Sequence, residues 1–203
     1  MGTMQRLEPA QPIFHEGDAV RRVFMLAHGS LKIYSLLADG RRQITGFMFP
    51  GDFLGVSIND EYAFSAEALA SSELWWFTRD AFDRFVESHP NVERELYRLA
   101  AHELAAAQAQ MVLLGRKTAA ERLASFFLTL LERRELVEGE TLREFDLPMS
   151  RLDVADYLGL TKETVSRMLA HLRDRSLIRL VRQDRIELLD RDALRDIAQG
   201  FGE

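Results

Sequence analysis

The chain has 203 residues, of which 47% are hydrophobic, and its formal net charge at pH 7 is −6. This length predicts one large or two small domains with packed cores. Because the chain contains no cysteine, it cannot form disulfides, thiolate nucleophiles or cysteine-ligated metal clusters. No apolar run approaches the roughly 18 residues of a membrane span, and the first residues lack a signal-peptide core. We therefore expect a cytoplasmic protein without a membrane partner.

The first part of the chain, from about residue 13 to residue 78, has the pattern of short β-strands. Turn signals, of which Asp39-Gly40 is the strongest, separate short apolar runs at regular intervals. Strands this short and evenly spaced predict a small barrel or sandwich. A short helix is expected to begin near Thr78 and to end near Pro90.

A long helix is predicted from Pro90 to about Gly115, because one stripe of residues alternates spacings of four and three. The stripe consists of Val92, Leu96, Leu99, Glu103, Ala106, Gln110 and Leu113. This period is typical of helices that pair with a second copy, so we interpret the stripe as a dimerisation surface. Glu103 and Gln110 would be polar interruptions that set its register. The alternative is a helix that packs on its own β-domain, and both contacts can exist on different faces.

Residues 150–173 have the pattern of a helix-turn-helix. Ser150 and Asp153 resemble a capping box at the start of the first helix, and Gly159 suits the tight turn between the two helices. Thr161 is a good N-cap for the second helix, because its hydroxyl can accept from a free backbone N–H. The residues expected to face inward are Val154, Ala155, Leu158, Val165, Leu169 and Leu172.

The start of the second helix carries side chains suited to reading DNA bases. Arg167 can donate two hydrogen bonds to guanine, Glu163 can accept one from cytosine, and Ser166 can serve either role. A recognition helix enters the major groove with this end. The predicted DNA-binding residues are Arg151, Thr161, Lys162, Glu163, Thr164, Ser166, Arg167 and His171. The alternative is an ordinary helical hairpin whose charges lie in water.

The negative net charge does not exclude a nucleic-acid partner, because phosphate binding depends on local positive charge. Residues 147–185 contain eight basic and five acidic residues, a local charge of +3.

The remaining elements of the second half of the chain are also predicted. Gly115-Arg116-Lys117-Thr118 is the expected hinge, an amphipathic helix is predicted from Ala119 to Glu135, and residues 138–140 form a loop. The sequence further predicts two wing strands near residues 177–180 and 185–189, followed by a short helix capped by Asp190.

Residues 148–172 closely resemble the CRP/FNR superfamily of bacterial transcription regulators. The string Glu163-Thr164-Val165-Ser166-Arg167 resembles the Glu-x-x-Ser-Arg signature of its FNR and FixK branches. The resemblance implies an α+β chain with an N-terminal cyclic-nucleotide-binding-like β-roll, a long dimerisation helix and a C-terminal winged helix-turn-helix. We assign these parts to residues 1–89, 90–117, which include the hinge, and 118–203.

The same resemblance implies a homodimeric activator that binds double-stranded DNA at a TTGAT-N4-ATCAA-like inverted repeat. It further implies RNA polymerase as a partner and a role in a low-oxygen or nitrogen-oxide response. Lys162 departs from the FNR pattern, which has an apolar residue at this position, so the half-site could be broadened or shifted by a base. The exact half-site therefore stays open.

No cofactor or metal is expected. The cyclic-AMP binders of the superfamily carry Gly-Glu and, about ten residues later, Arg-Ser; the corresponding stretches here are Gly51-Asp52 and Phe64-Ser65. A phenyl ring cannot neutralise a phosphate, so cyclic-AMP binding is not expected. An iron–sulfur cluster of the FNR type needs cysteine ligands, which this chain lacks. The candidate haem ligands have no metal-site spacing; they are His15, His28, His89 and His102.

No nucleophile–base constellation, phosphate-binding loop or zinc-protease motif is present, so we expect no catalytic residues and no enzyme activity. Two alternatives to the regulator remain open. One is the same fold gated by a sensed ligand, such as haem-bound nitric oxide, which absorbance near the Soret band would reveal. The other is a ligand-binding or docking β-domain without DNA function. A gel shift with an inverted repeat tests it, because such a protein would not shift the DNA.

Overall fold

The computed structural model describes residues 2–57, 59–182 and 184–201, apart from the side chains of Val137 and Glu138. The chain divides into two compact units, residues 1–106 and 107–203. Their boundary falls inside the long helix, whereas the sequence suggests divisions at residues 89 and 117; that three-part assignment stays a prediction. Within the described residues, no helix has the length and hydrophobicity needed to cross a membrane.

The N-terminal unit is built from two antiparallel sheets. Its strands are β1 (Thr3–Leu7), β2 (Pro12–Phe14), β3 (Arg22–His28), β4 (Leu31–Leu36), β5 (Arg42–Met48), β6 (Phe53–Leu54), β7 (Ser65–Ala68) and β8 (Ser72–Thr78). One sheet has the order β1-β8-β3-β6 and the other the order β2-β7-β4-β5. The predicted Asp39-Gly40 hairpin is confirmed, since β4 pairs with β5 across it and Gly40 has a φ of 84°.

The core of this unit lies between the two sheets. Leu26 and Leu74 from one sheet pack with Leu31 from the other, and all three are fully buried. The ring of Phe14 stacks on Tyr62 with centroids 3.7 Å apart. Strand β1 begins ten residues before the predicted β region; its sequence Thr-Met-Gln-Arg-Leu buries only Leu7 fully, so it lacks a strong apolar signal.

Two helices follow the sheets, as the sequence predicts. Helix α1 (Arg79–Ser88) begins at its N-cap Thr78, whose hydroxyl accepts from the backbone N–H of Ala81. Helix α2 (Pro90–Arg116) then runs for 27 residues. The predicted hinge at residues 115–118 is wrong for its first two residues, because Gly115 and Arg116 are helical. Only Lys117 and Thr118 separate α2 from the next helix.

The C-terminal unit contains the end of α2, four further helices and a small sheet. These elements are α3 (Ala119–Glu138), β9 (Glu144–Asp146), α4 (Arg151–Leu158), α5 (Lys162–Asp174), β10 (Ile178–Arg182), β11 (Arg185–Leu188) and α6 (Arg191–Ala198). The wing has three strands in the order β10-β11-β9 rather than the predicted two. Strand β9 escapes prediction because a single apolar residue, Phe145, stands between charged neighbours. Helix α3 also ends three residues later than predicted, so Glu138 is helical rather than in the loop.

Helix α3 provides the central apolar surface of this unit. The predicted amphipathic character is confirmed, because five large apolar residues on its inner face are buried; they are Leu123, Phe126, Phe127, Leu130 and Leu131. The ring of Phe127 lies 5.6 Å from that of Phe145, which attaches β9 to the core. The predicted N-cap Asp190 is also confirmed, since its carboxylate accepts from the backbone N–H of Ala193 at the start of α6.

An ion pair joins the end of α3 to the start of α6. Arg191 donates to both carboxylate oxygens of Glu135, over 2.7 Å and 2.9 Å, and the backbone N–H of Leu142 donates to the same carboxylate. Both side chains are mostly buried, with 27% and 17% exposure. The hydrogen bonds from Arg191 lower the pKa of Glu135 below its ordinary value. This pair therefore stabilises the unit while Glu135 is ionised.

We expect Glu135→Gln to lower the free energy of unfolding by about 1–3 kcal/mol at pH 7, because a charged hydrogen bond is lost beside a buried guanidinium. A carboxyl with a depressed folded-state pKa stabilises above its unfolded-state pKa, and that stabilisation disappears as pH falls through the folded-state value. The difference from wild type should therefore shrink on acidification. Urea denaturation at pH 7 and pH 4 tests this, with the exposed Glu140→Gln as control; a pH-independent difference would contradict it.

Candidate nucleic-acid interface

The first helix of the helix-turn-helix begins in a reciprocal cap. The Ser150 hydroxyl accepts from the backbone N–H of Asp153, and the Asp153 carboxylate accepts from the backbone N–H of Ser150, both over 3.1 Å. Asp153 is only 6% exposed. The helix ends at Gly159, whose φ of 61° and ψ of 41° lie in the left-handed region that favours glycine. The predicted capping box and glycine turn are thus confirmed.

The second helix begins at the predicted N-cap. The Thr161 hydroxyl accepts from the backbone N–H of Thr164 over 3.2 Å. The inward faces of both helices are buried as predicted, through Val154, Ala155, Leu158, Val165, Leu169 and Leu172. Since these apolar contacts fix both helices against the unit's core, the polar face of α5 is left outward.

The side chains at the start of α5 form one connected polar surface. Lys162, Glu163 and Arg167 are exposed within the first two turns. The guanidinium of Arg167 donates to the Thr164 hydroxyl over 3.3 Å, and that hydroxyl lies 3.0 Å from the hydroxyl of Thr161. The two threonines therefore hold Arg167 towards the N-terminal end of the helix. Pre-ordering of this kind reduces the entropy that a long side chain loses on binding.

Ser166 differs from its neighbours because its hydroxyl already has partners in the protein. It donates to the backbone carbonyl of Lys162 over 2.9 Å and accepts from Arg151 over 3.3 Å. Arg151 comes from α4, so the structure brings a residue of the first helix beside the start of the second. His171, the remaining predicted DNA-binding residue, is exposed in the last turn of α5 and lies apart from this cluster.

The positive charge of the unit is less evenly distributed than the sequence suggests. Several arginines are paired with carboxylates: Arg173 with Asp174, Arg179 with Glu187, and Arg185 with Glu144. Across the described residues, by contrast, Arg151, Lys162 and Arg167 form no ion pair. These three cations lie beside the N-terminus of α5, where the helix dipole also favours an anion. Among the described residues Arg175 and Arg182 also form no ion pair, so the uncompensated positive charge includes the predicted base-reading end and extends beyond it.

The stripe of α2 that the sequence assigns to dimerisation is not uniformly exposed. Gln110 donates its side-chain amide to the backbone carbonyl of Tyr157 over 3.0 Å, and Leu113 is buried at 9% exposure, both within the C-terminal unit. Val92 and Leu96 are half-buried, whereas Leu99, Glu103 and Ala106 are exposed. The assignment of this stripe to a dimer contact stays a prediction.

Sequence reasoning missed a second apolar stripe on another face of α2. Tyr97, Leu104 and Met111 recur at intervals of seven residues and are 78%, 61% and 72% exposed. Exposed alanines at positions 100, 101 and 107 lie between them. The spacing of seven is the signal that could have identified this stripe, since it is the repeat of paired helices. It is an apolar surface that a second helix could cover.

Asp52 and Phe64, the residues at the places of the superfamily's cyclic-AMP ligands, contact other groups of the N-terminal unit. The Asp52 carboxylate accepts from the backbone N–H of Phe49 over 2.8 Å, and the ring of Phe64 lies 5.9 Å from that of Phe14 at the edge of the core. All four histidines considered for haem are exposed; they are His15, His28, His89 and His102. Among the described residues, no group of three potential metal ligands is close enough to hold an ion.

Comparison with known proteins gives matches over both units. Residues 4–89 match the family model of the cyclic nucleotide-binding domain, and residues 121–197 match that of the Crp-like helix-turn-helix domain. The chain is 42% identical to the transcriptional activatory protein AadR of Rhodopseudomonas palustris, over 91% of this chain and 77% of the relative. It is 40% identical to the nitrogen fixation regulation protein FixK of Bradyrhizobium diazoefficiens, over 94% and 79% of the two chains.

A solved structure extends the likeness to the fold. FixK2 from Bradyrhizobium japonicum matches with a TM-score of 0.89 and 34% sequence identity, over 97% of each chain. The match covers the β-roll as well as the helix-turn-helix. The α+β architecture expected from the sequence is therefore confirmed by an experimental relative.

Proposed function

The chain belongs to the CRP/FNR superfamily of transcription regulators, and we propose that it acts as a homodimeric, sequence-specific activator of transcription. Members of this family regulate transcription, bind DNA through the helix-turn-helix as dimers and are not enzymes. The observation that carries the proposal is the cluster of unpaired cations and hydrogen-bonding groups at the N-terminus of α5. A recognition helix presents this end to base edges in the major groove.

We propose a TTGAT-N4-ATCAA-like inverted repeat as the target. Within the half-site, Arg167 is the residue best placed for a bidentate contact with guanine, because Thr164 orients its guanidinium. Glu163 would accept from a cytosine amine. Ser166, which is already bound to Lys162 and Arg151, would contribute a single hydrogen bond. Arg151, Thr161 and His171 would contact phosphates and fix the register.

We propose that the dimer forms through α2, as the sequence indicates, but with the exposed stripe of Tyr97, Leu104 and Met111 at its centre. This stripe has the seven-residue repeat and the intervening small residues that allow two helices to approach closely. Gln110 and Leu113 of the first stripe would then serve contacts within each protomer. This arrangement supports both interpretations of the helix, on different faces.

Three further aspects of the proposal rest on the resemblance to the FixK and FNR branches. They are RNA polymerase as the partner at promoters, a cytoplasmic location, and a role in a low-oxygen or nitrogen-oxide response. Activation is supported by the 42% identity to AadR, a transcriptional activatory protein. A promoter–reporter fusion carrying the inverted repeat, compared with and without the gene under aerobic and oxygen-limited growth, tests activation and the inducing condition together.

The first test of base reading is Arg167→Ala. Loss of a bidentate contact should cost about 1–3 kcal/mol per half-site, or roughly 30-fold to about 20,000-fold for a dimer on two half-sites. The affinity for random duplex should fall much less. Anisotropy titrations with the inverted repeat, single-base variants and random DNA measure this. Arg173→Ala, which removes an arginine at the other end of α5 paired with Asp174, is the control. Equal loss on all duplexes would reduce Arg167 to a phosphate contact.

Lys162 should behave differently from Arg167 if it only contacts phosphate. Lys162→Val would then weaken specific and random binding alike and reduce the salt dependence by roughly one ion per half-site. If Lys162 instead reads a base, the variant should discriminate more strongly between TTGAT and altered half-sites, because its affinity for the altered half-sites falls. Titrations at two salt concentrations separate these results, and they decide whether the half-site is broadened by the lysine.

The two faces of α2 give a matched test of assembly. Leu104→Glu places a charge in the exposed stripe and should turn the dimer into a monomer at micromolar concentration. Leu99→Glu lies on the other face, at 38% exposure, and should leave the dimer largely intact. Light scattering measures the mass of each. If Leu99→Glu is monomeric and Leu104→Glu is dimeric, the dimer contact lies on the stripe that the sequence first indicated. A monomeric wild type would refute assembly through α2.

A further inference from the structure

Arg122, in the first turn of α3, makes an unusual set of contacts for a half-buried arginine. Its guanidinium donates to the backbone carbonyls of Lys117 over 2.9 Å, Leu114 over 2.9 Å and Leu158 over 2.8 Å. A longer contact of 3.5 Å reaches the carbonyl of Gly159. All the acceptors are main-chain oxygens, and they belong to two different segments of the C-terminal unit.

These carbonyls are the ones that helices leave without a partner. The last four carbonyls of an α-helix have no intrahelical N–H donor, and the helix dipole places partial negative charge there. Leu114 lies in the last turn of α2, which ends at Arg116, and Leu158 is the last residue of α4. One guanidinium therefore caps two helix C-termini at once. Its planar fork suits this role, since it can donate in several fixed directions.

Two neighbouring contacts join the same pair of helix ends. The amide of Gln110 donates to the carbonyl of Tyr157, one residue before the end of α4. A Cβ placed on Gly159 would lie 3.4 Å from the Leu114 side chain and 3.4 Å from Arg122 itself. The turn of the helix-turn-helix thus packs directly on the last turns of α2, with Arg122 at the centre of the contact.

We propose that Arg122 is a positioning residue for operator recognition, which fixes the direction of the helix-turn-helix relative to α2 and thereby selects the spacing between half-sites. This inference rests on the proposed function, in which α2 pairs with its copy and each α5 reads one half-site. In a two-fold dimer, the separation of the recognition helices depends on how each is held on the paired helix. Because the link at Gly159 is rigid, only some spacer lengths allow both recognition helices to bind their half-sites at the same time.

The test is an anisotropy titration of the full chain against duplexes that differ only in the spacer between TTGAT and ATCAA, from two to six base pairs. A duplex with a single half-site is included. Arg122→Met removes the guanidinium and keeps an extended apolar side chain. Arg195→Met, which removes an arginine from an i,i+3 pair with Asp192 in α6, is the matched control.

The wild type and Arg195→Met should prefer one spacer clearly. In Arg122→Met the ratio of affinities between the preferred spacer and its neighbours should fall about tenfold, a typical size for coupling between two sites. Binding to the single half-site should change little. Arg122→Lys keeps the charge but loses the fork, so its ratio should be intermediate. A merely structural role would lower the affinity for all duplexes by one factor and leave the ratio unchanged, which would overturn the inference.

If Arg122→Met does not fold, as judged by circular dichroism, Gln110→Met is compared in its place, because it removes the parallel hydrogen bond without changing charge. It should lower the same ratio of affinities between the preferred spacer and its neighbours, and an unchanged ratio would again overturn the inference. The two proposals fail differently. A wild type with no preference for any inverted repeat over random DNA would refute the proposed function, whereas an unchanged ratio in a specific binder refutes only the role of Arg122.

Discussion

The short turn between α4 and α5 is the constraint on which the DNA-binding unit depends. The chain must change direction between two helices within three residues. The last carbonyls of one helix and the first N–H groups of the next are then left without partners inside the helices. Gly159 provides the left-handed conformation that ends α4, and Thr161 satisfies the first turn of α5. Arg122 supplies the donors that the end of α4 lacks. The turn is therefore held both by its own residues and by Arg122 of α3.

This arrangement links stability to recognition through the same residues. Thr161 caps α5 and also lies within 3.0 Å of the Thr164 hydroxyl, which orients Arg167. The base-reading end of the helix is therefore ordered by the groups that begin the helix. A site on a rigid element, supported by a second layer of hydrogen bonds, holds its contacts more accurately than a site on a loop. Little reorganisation is then needed when α5 meets a groove.

The features that the sequence predicted well are local ones. Caps at Ser150, Thr161 and Asp190, and the apolar stripes of α3, α4 and α5, follow from spacing within a few residues, and the structure confirms them. Strand β9 depends on pairing with β11, some forty residues away, so its own three residues carry no sufficient signal. The capping role of Arg122 likewise depends on two helix ends that only the fold brings together. The faces of α2 were ambiguous, because two stripes share one helix and only burial separates them.

The distribution of charge explains how a chain of net charge −6 can serve as a DNA-binding protein. Two arginines of the wing are held by carboxylates, in the pairs Arg179–Glu187 and Arg185–Glu144. Non-specific binding grows with the number of free cations that can release counterions from DNA. Pairing in the wing reduces that number, whereas Arg151, Lys162 and Arg167 at the start of α5 are left to act. The free cations at the start of α5 therefore add phosphate affinity at the end of the helix that reads bases, although the chain as a whole is negative.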